Sequence, residues 1–129
     1  MHKSIKTLTQ KSIEFWKPPP YMTLSTWADD RAYLSPESSH ESGKWTCLPY
    51  QREIMDCVTD PKVKKITWQK SARVGYTKIL NNIIGYHIDH DPKSILAVQP
   101  TVKPDAEGYS KEEIAPMIRD TVHNLALVW

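Results

Sequence analysis

The chain is poor in the features that build metal centres, disulfide frameworks or membrane anchors. It has only two cysteines, Cys47 and Cys57. They form no C-x-x-C pair, which argues against a zinc site and leaves two reduced, partly buried thiols as the expectation. No stretch approaches the ~20 consecutive apolar residues of a membrane span. The N-terminus is polar and lysine-bearing and lacks the apolar segment of a secretory signal. The sequence therefore predicts a cytoplasmic protein. Internal repeats and low-complexity tracts are also missing. The most informative absence is local: no acidic residue occurs between Pro61 and Ile88.

The 129 residues suffice for one domain with a modest core, and a hydrophobic share of 40% fits a folded rather than a disordered chain. The net charge of +2, from 17 basic and 15 acidic side chains, says nothing by itself about nucleic acid. Its distribution says more. Lys62, Lys64, Lys65, Lys70, Arg73 and Lys78 all fall in the stretch without acidic residues. Such a block suits a phosphate-bearing ligand, or else forms a solvated basic face.

Residues 1–17 read as an N-terminal helical arm with Ile5, Leu8, Ile13, Phe15 and Trp16 as an imperfect apolar stripe. Pro18-Pro19-Pro20 begins a stiff spacer over 18–24. Residues 25–120 form the predicted main domain, and 121–129 an atypical tail. Within the domain, Ser25 is expected to cap a short helix, and residues 34–44 read as a loop. Pro49 suits the first turn of a helix that carries Ile54, Met55 and Val58 and ends at Asp60-Pro61. Lys64–Gln69 alternates as a strand does. Thr77–His87 reads as a helix with Ile79, Leu80, Ile83, Ile84 and Tyr86 inward. Ser94–Val98 is a near-continuous apolar run, as in a strand buried on both faces. A last helix covers roughly 111–120, kinked near Pro116. Trp45 and Trp68 are assigned to the core. The centre is thus a βαβ unit, which implies parallel strands joined by a right-handed crossover.

Between the Lys64–Gln69 strand and the Thr77–His87 helix lies Lys70-Ser71-Ala72-Arg73-Val74-Gly75-Tyr76-Thr77. A phosphate-binding loop belongs at this place, and its usual pattern is G-x-x-x-x-G-K-[ST]. Gly75 and Thr77 occupy the second-glycine and hydroxyl positions, Lys70 replaces the first glycine, and Tyr76 replaces the lysine. The physical requirements are still met. N–H groups at the start of the helix can face a phosphate, Gly75 allows close backbone approach, and Thr77 offers a hydroxyl to Mg2+. A cation is available from Lys70, with Arg73 second. Pattern alone leaves nucleotide binding and an ordinary turn both open. His87 and His90, near Asp89 and Asp91, read as a solvated helix end in preference to a metal site.

KSARVGYTK resembles the variant Walker A segment of the large terminase subunits of lambda-like phages, the motors that package DNA into capsids. In that family the phosphate-sensing lysine opens the loop, as Lys70 does. WADDRAYLSPESSHESGKWTCLPYQREIMD and SILAVQPTVKPDAEGYSKEEIAPMIRDT resemble the family's flanking regions, so the likeness covers most of the chain. It implies that ATP and Mg2+ are held by Lys70, Ser71, Arg73, Gly75, Tyr76, Thr77 and Lys78, with Thr77 on the metal. It further implies that Tyr50 and Gln51 face the adenine, the alternative for Gln51 being an exposed helix residue. His40 falls where some relatives carry a tyrosine near the adenine, so no contact is assigned to it.

The fold expected is α/β: an incomplete P-loop NTPase core with an N-terminal helical arm. The resemblance implies a small terminase subunit as partner of residues 1–17, and DNA and the procapsid portal as partners of the whole machine. It also implies that the Walker B strand, the coupling motif and the nuclease domain lie beyond Asp120, and that the sequence leaves the family pattern after IRDT. The reading is therefore an ATP-binding fragment without turnover, such as a decayed prophage would leave. The alternatives are a non-enzymatic module for the small subunit and an inert remnant. Without a Walker B strand between them, Lys64–Gln69 and Ser94–Val98 are expected to lack a bridging partner.

Overall fold

The computed structural model describes residues 17–126 apart from residue 19, with side chains as far as Thr121. The arm expected over residues 1–17 lies almost wholly outside these residues. Helix α1 spans Leu24–Arg31, and its cap is Thr23, whose hydroxyl accepts from the Thr26 N–H at 3.4 Å. The expected cap, Ser25, sits instead inside the first turn and is buried. Its N–H donates to Asp56 Oδ1 at 3.2 Å and its hydroxyl accepts from Arg52 Nη1 at 3.3 Å. The i, i+3, i+4 spacing of Leu24, Trp27 and Ala28 puts all three on one face, and all three are buried.

After α1 the chain forms a two-residue strand β1 (Tyr33–Leu34), antiparallel to β2 (Gly43–Lys44), with Tyr33 opposite Lys44 and Leu34 opposite Gly43. The sequence reading places a loop over most of this region. The ladder is too short to show an alternating pattern, and it is closed by the Trp45 N–H donating to the Ala32 carbonyl at 3.0 Å.

Helix α2 (Pro49–Thr59) starts at its proline, which loses no helical hydrogen bond there. Helix α3 spans Tyr76–Asp89. Its buried face differs from the expected one: Ile79, Gly85 and Tyr86 are inside, together with Asn81 and Asn82 rather than Leu80 and Ile84. A turn at Val102–Ala106, in which Lys103 is extended (φ −125°, ψ 133°), and wide π-helical turns at Tyr109–Ile114 lead into α4 (Ala115–Ala126), which passes residue 120 without a break. Pro116 has no N–H for the carbonyl four residues back, and the widened turns fall just before it. The kink expected at Pro116 is thus resolved as a π-helical stretch.

The core joins α1, α2 and α3 through Leu24, Trp27, Met55, Ile79 and Tyr86, with Trp45 and Cys47 from the segment after β2. Burying each such aliphatic side chain contributes roughly 1.5–3 kcal/mol. Trp68 packs against this cluster and Trp45 belongs to it. α1 crosses α3 at Gly85, where an added Cβ would lie 2.8 Å from Trp27 Cη2. The indole is anchored by Nε1 donating to Asp89 Oδ2 at 2.7 Å. Arg31 Nη1 donates to the same oxygen at 2.8 Å. Cys47 and Cys57 are free thiols.

The expected strands do not form. Among the described residues the only sheet is β1–β2, and neither 64–69 nor 94–98 joins a ladder. Their apolar side chains stay open: Ile66 is 44% exposed, Leu96 87% and Val98 79%. A strand satisfies its backbone groups only through a neighbour, and no described segment pairs with either. The βαβ core is therefore replaced by a mixed helical domain with one small two-stranded sheet.

Candidate phosphate-binding site

Segment 64–69 brings the chain to Lys70, and α3 leaves from Tyr76. In the turn between them Arg73 (φ 59°) and Gly75 (φ 79°) take left-handed backbone. Gly75 is the residue before the first turn of α3. Glycine suits the position on two counts: the φ favours it, and an added Cβ would stand 2.8 Å from Gln51 Nε2, so that side chain would have to shift. A left-handed residue followed by a helical one turns successive N–H groups towards one point. The first N–H groups of α3 lack partners within the helix, and its dipole adds a partial positive charge.

Tyr76 occupies the position where the usual motif has its lysine. Its ring carries the Lys70 ammonium, with Nζ 5.0 Å from the ring centroid. Trp68 supports the same ring edge-on at 5.4 Å. A cation–π contact at an exposed site contributes about 0.5–1 kcal/mol, so Tyr76 holds the displaced lysine over the turn. Among the described residues neither Lys70 nor Arg73 pairs with a carboxylate.

Lys78 is placed differently. Its Nζ donates to the Ser38 carbonyl at 2.6 Å, the Ser38 hydroxyl at 2.9 Å and Glu113 Oε2 at 2.6 Å. These contacts match the full donor capacity of an ammonium group. Glu113 Oε2 also accepts from Asn81 Nδ2 at 3.0 Å, and Asn81 Oδ1 accepts from the Tyr109 hydroxyl at 2.9 Å. Burial, reinforced by the charge of Glu113 and by Tyr76, pushes the Tyr109 pKa up to about 12.

A cavity of about 660 Å³ opens between this turn and the segment after β1. Lys70, Arg73, Gly75, Tyr76, Thr77 and Lys78 line it on the turn side, together with Ser38, Ser39, His40 and Glu41 from the segment after β1 and Glu113. The size falls within the range of small-molecule sites.

Six of the expected site residues thus meet in one cavity. Ser71 belongs to the turn but does not line the cavity. Tyr50 and Gln51 stand behind the turn, against the Val74 carbonyl. Gln51 is 3% exposed, which corrects the alternative of an exposed helix residue. His40, to which no contact was assigned, is in the cavity wall. Ser38 and Glu113 were missed. No sequence signal marks them, because the pairing of Lys78 with Glu113 spans 35 positions of chain. His87 Nδ1 lies 3.0 Å from the Asp91 carbonyl. Among the described residues no three His, Cys, Asp or Glu side chains are grouped to hold a metal.

Fold and site together define a mixed helix–sheet domain whose cleft, with cations that no carboxylate among the described residues matches at a helix N-terminus, is suited to a phosphate-bearing ligand. The family model described as phage terminase large subunit gpA, ATPase domain, matches residues 39–125. The chain belongs to this family. It is 39% identical to the large terminase subunit of Escherichia phage lambda over 112 residues, covering 87% of this chain and 17% of that protein. It is 40% identical to the large terminase subunit of Enterobacteria phage P21 over 106 residues, covering 82% of this chain and 16% of the relative. The chain therefore spans about a sixth of the length of these relatives. No solved structure gives a match. Among the described residues no helix is long and apolar enough to cross a membrane.

Proposed function

We propose that the cavity takes ATP with Mg2+, and that the chain supplies the phosphate-holding part of a DNA-packaging terminase. One observation carries this reading: Lys70 and Arg73, two cations without carboxylate partners among the described residues, line a cavity of about 660 Å³ at the N-terminus of a 14-residue helix. Membership of a terminase ATPase family supports it. The site fits the metal as a companion of the nucleotide. Mg2+ keeps waters and phosphate oxygens as ligands and needs few protein groups, and the Thr77 hydroxyl is the protein group offered. Lys70 and Arg73 would bind the phosphates, Gly75 would admit them to the backbone, and Tyr76 would hold Lys70 in place. On the same reading residues 1–17 meet a small terminase subunit, and DNA and a portal are partners of the whole machine.

The reading is tested by titrating ATP into the purified chain and its Lys70→Ala variant. A charge-assisted hydrogen bond contributes roughly 1.5–3 kcal/mol, so the variant should bind at least about tenfold more weakly. Equal affinities would remove Lys70 from the phosphate site.

A further inference from the structure

We propose that Gln51 is a positioning residue of the phosphate turn, fixing the Val74–Gly75 peptide, and that it does not read the nucleotide base. The proposal rests on the nucleotide reading above and assigns a role within that site. Gln51 lies in the first turn of α2 and is buried. Its Oε1 accepts from the Leu48 N–H at 3.1 Å, and its Nε2 donates to the Val74 carbonyl at 3.2 Å. The Tyr50 hydroxyl donates to the same carbonyl at 3.4 Å. The Val74 oxygen thus receives two donors from the first turn of α2.

A trans peptide is planar, with its C=O and N–H pointing to opposite sides. Drawing the Val74 carbonyl towards Gln51 therefore turns the Gly75 N–H away from α2. Gly75 lines the cavity and Gln51 does not. If this peptide flipped, a carbonyl dipole would replace an N–H in the wall where phosphate is expected, and would repel it. The close fit reinforces the point, since the space a Cβ on Gly75 would need is taken by Gln51 Nε2, 2.8 Å away. The Gln51 amide is already engaged at both ends. Turning to a base edge would break both contacts, taking the acceptor from the Leu48 N–H and one of two donors from the Val74 carbonyl.

The test uses the full chain, Gln51→Met, which keeps the length but removes both polar ends, and Tyr50→Phe, which removes the second donor at an exposed position. Affinities for ATP, GTP and inorganic tripolyphosphate are measured by calorimetry. The Gly75 backbone amide resonance is followed in nitrogen–proton correlation spectra. Gln51→Met should shift the Gly75 resonance and weaken all three ligands by the same factor, roughly tenfold, with the ATP-to-GTP ratio unchanged. Tyr50→Phe should give the same pattern at smaller size, and it decides the matter if Gln51→Met does not fold. A collapse of the ATP-to-GTP ratio with tripolyphosphate binding intact would make Gln51 a base reader and overturn the proposal. An unmoved Gly75 resonance would overturn it as well. If the unaltered chain binds none of the three ligands, the nucleotide reading fails, and the Gly75 resonance alone still decides the role of Gln51.

Discussion

Lys78 Nζ and Glu113 Oε2 lie 2.6 Å apart with their side chains only 18% and 23% exposed, so the lysine next to the turn is held by a carboxylate. A phosphate entering the cavity would compete with Glu113 for Lys78, while Lys70 and Arg73 have no carboxylate partner among the described residues.

Two opposite effects are expected from Glu113→Gln. Stability should fall by roughly 1–3 kcal/mol, because a shielded ammonium loses its counter-charge. Triphosphate affinity should rise several-fold, because the cavity gains net positive charge and Lys78 is released. Lys78→Ala should lower both. Thermal melting and ligand titration of the two variants check this pattern. Weaker triphosphate binding by Glu113→Gln would mean that the carboxylate contributes to holding the ligand.

Gly85→Ala pits local propensity against packing. Alanine is the better helix former by about 1 kcal/mol. Its Cβ, however, would meet Trp27 Cη2 at 2.8 Å, and that indole is buried and tied to Asp89. Overpacking of this kind costs typically about 1–3 kcal/mol. The variant should melt at a lower temperature than the parent, and an equal or higher Tm would show that the α1–α3 contact yields easily.

How much of this was legible in the sequence depended on distance along the chain. The turn from Lys70 to Thr77 was readable because glycine, hydroxyl and lysine form a local pattern, and the cavity gathers most of the residues named from it, Ser71 excepted. The start of α2 at Pro49 was readable for the same reason. The contacts of Gln51 and Glu113 were not, since each depends on a partner brought in by tertiary packing. Asn81 and Asn82 broke the apolar stripe expected of α3: Asn81 meets a polar network with Glu113 and Tyr109, while Asn82 Nδ2 is buried without a hydrogen-bond partner among the described residues. Ile66 and Leu96 show the converse error. A strand-like pattern records a preference, and a ladder also needs a neighbour with free backbone groups.

Alkaline titration gives a check on the Tyr109–Asn81–Glu113 network. The Tyr109 hydroxyl is raised from 10 to about 12, first by burial and then by the charge of Glu113. A folded pKa above the unfolded value means that the folded state holds the proton more tightly. The contribution is complete below pH 10 and is lost as the pH rises from 10 to about 12. Tyr109→Phe removes this group, so its stability should decline less steeply across that window than the parent's. Denaturant melts at several pH values, with tyrosinate absorbance to follow ionisation, measure the difference. Parallel curves would mean that Tyr109 ionises as freely in the folded chain as in the unfolded one.

Phosphate binding and phosphate release make different demands on the same cavity. Hydrolysis requires a carboxylate that helps to hold Mg2+ and a further group that orients the attacking water. Among the described residues the carboxylates at the cavity are Glu41 and Glu113. Glu113 is engaged by Lys78 and Asn81, and Glu41 is exposed. Neither follows an apolar strand ending beside Thr77, the arrangement that would bring a carboxylate to the metal and the transferring phosphate together. The 129-residue chain by itself is therefore expected to bind ATP without turning it over. Magnesium-dependent phosphate release from the purified chain should not exceed that of its Lys70→Ala variant, and Glu113→Gln should leave that baseline unchanged. Release well above the Lys70→Ala baseline would overturn the expectation. If Glu113→Gln then abolished the excess, Glu113 would be leaving Lys78 during turnover and acting on the metal or the water itself.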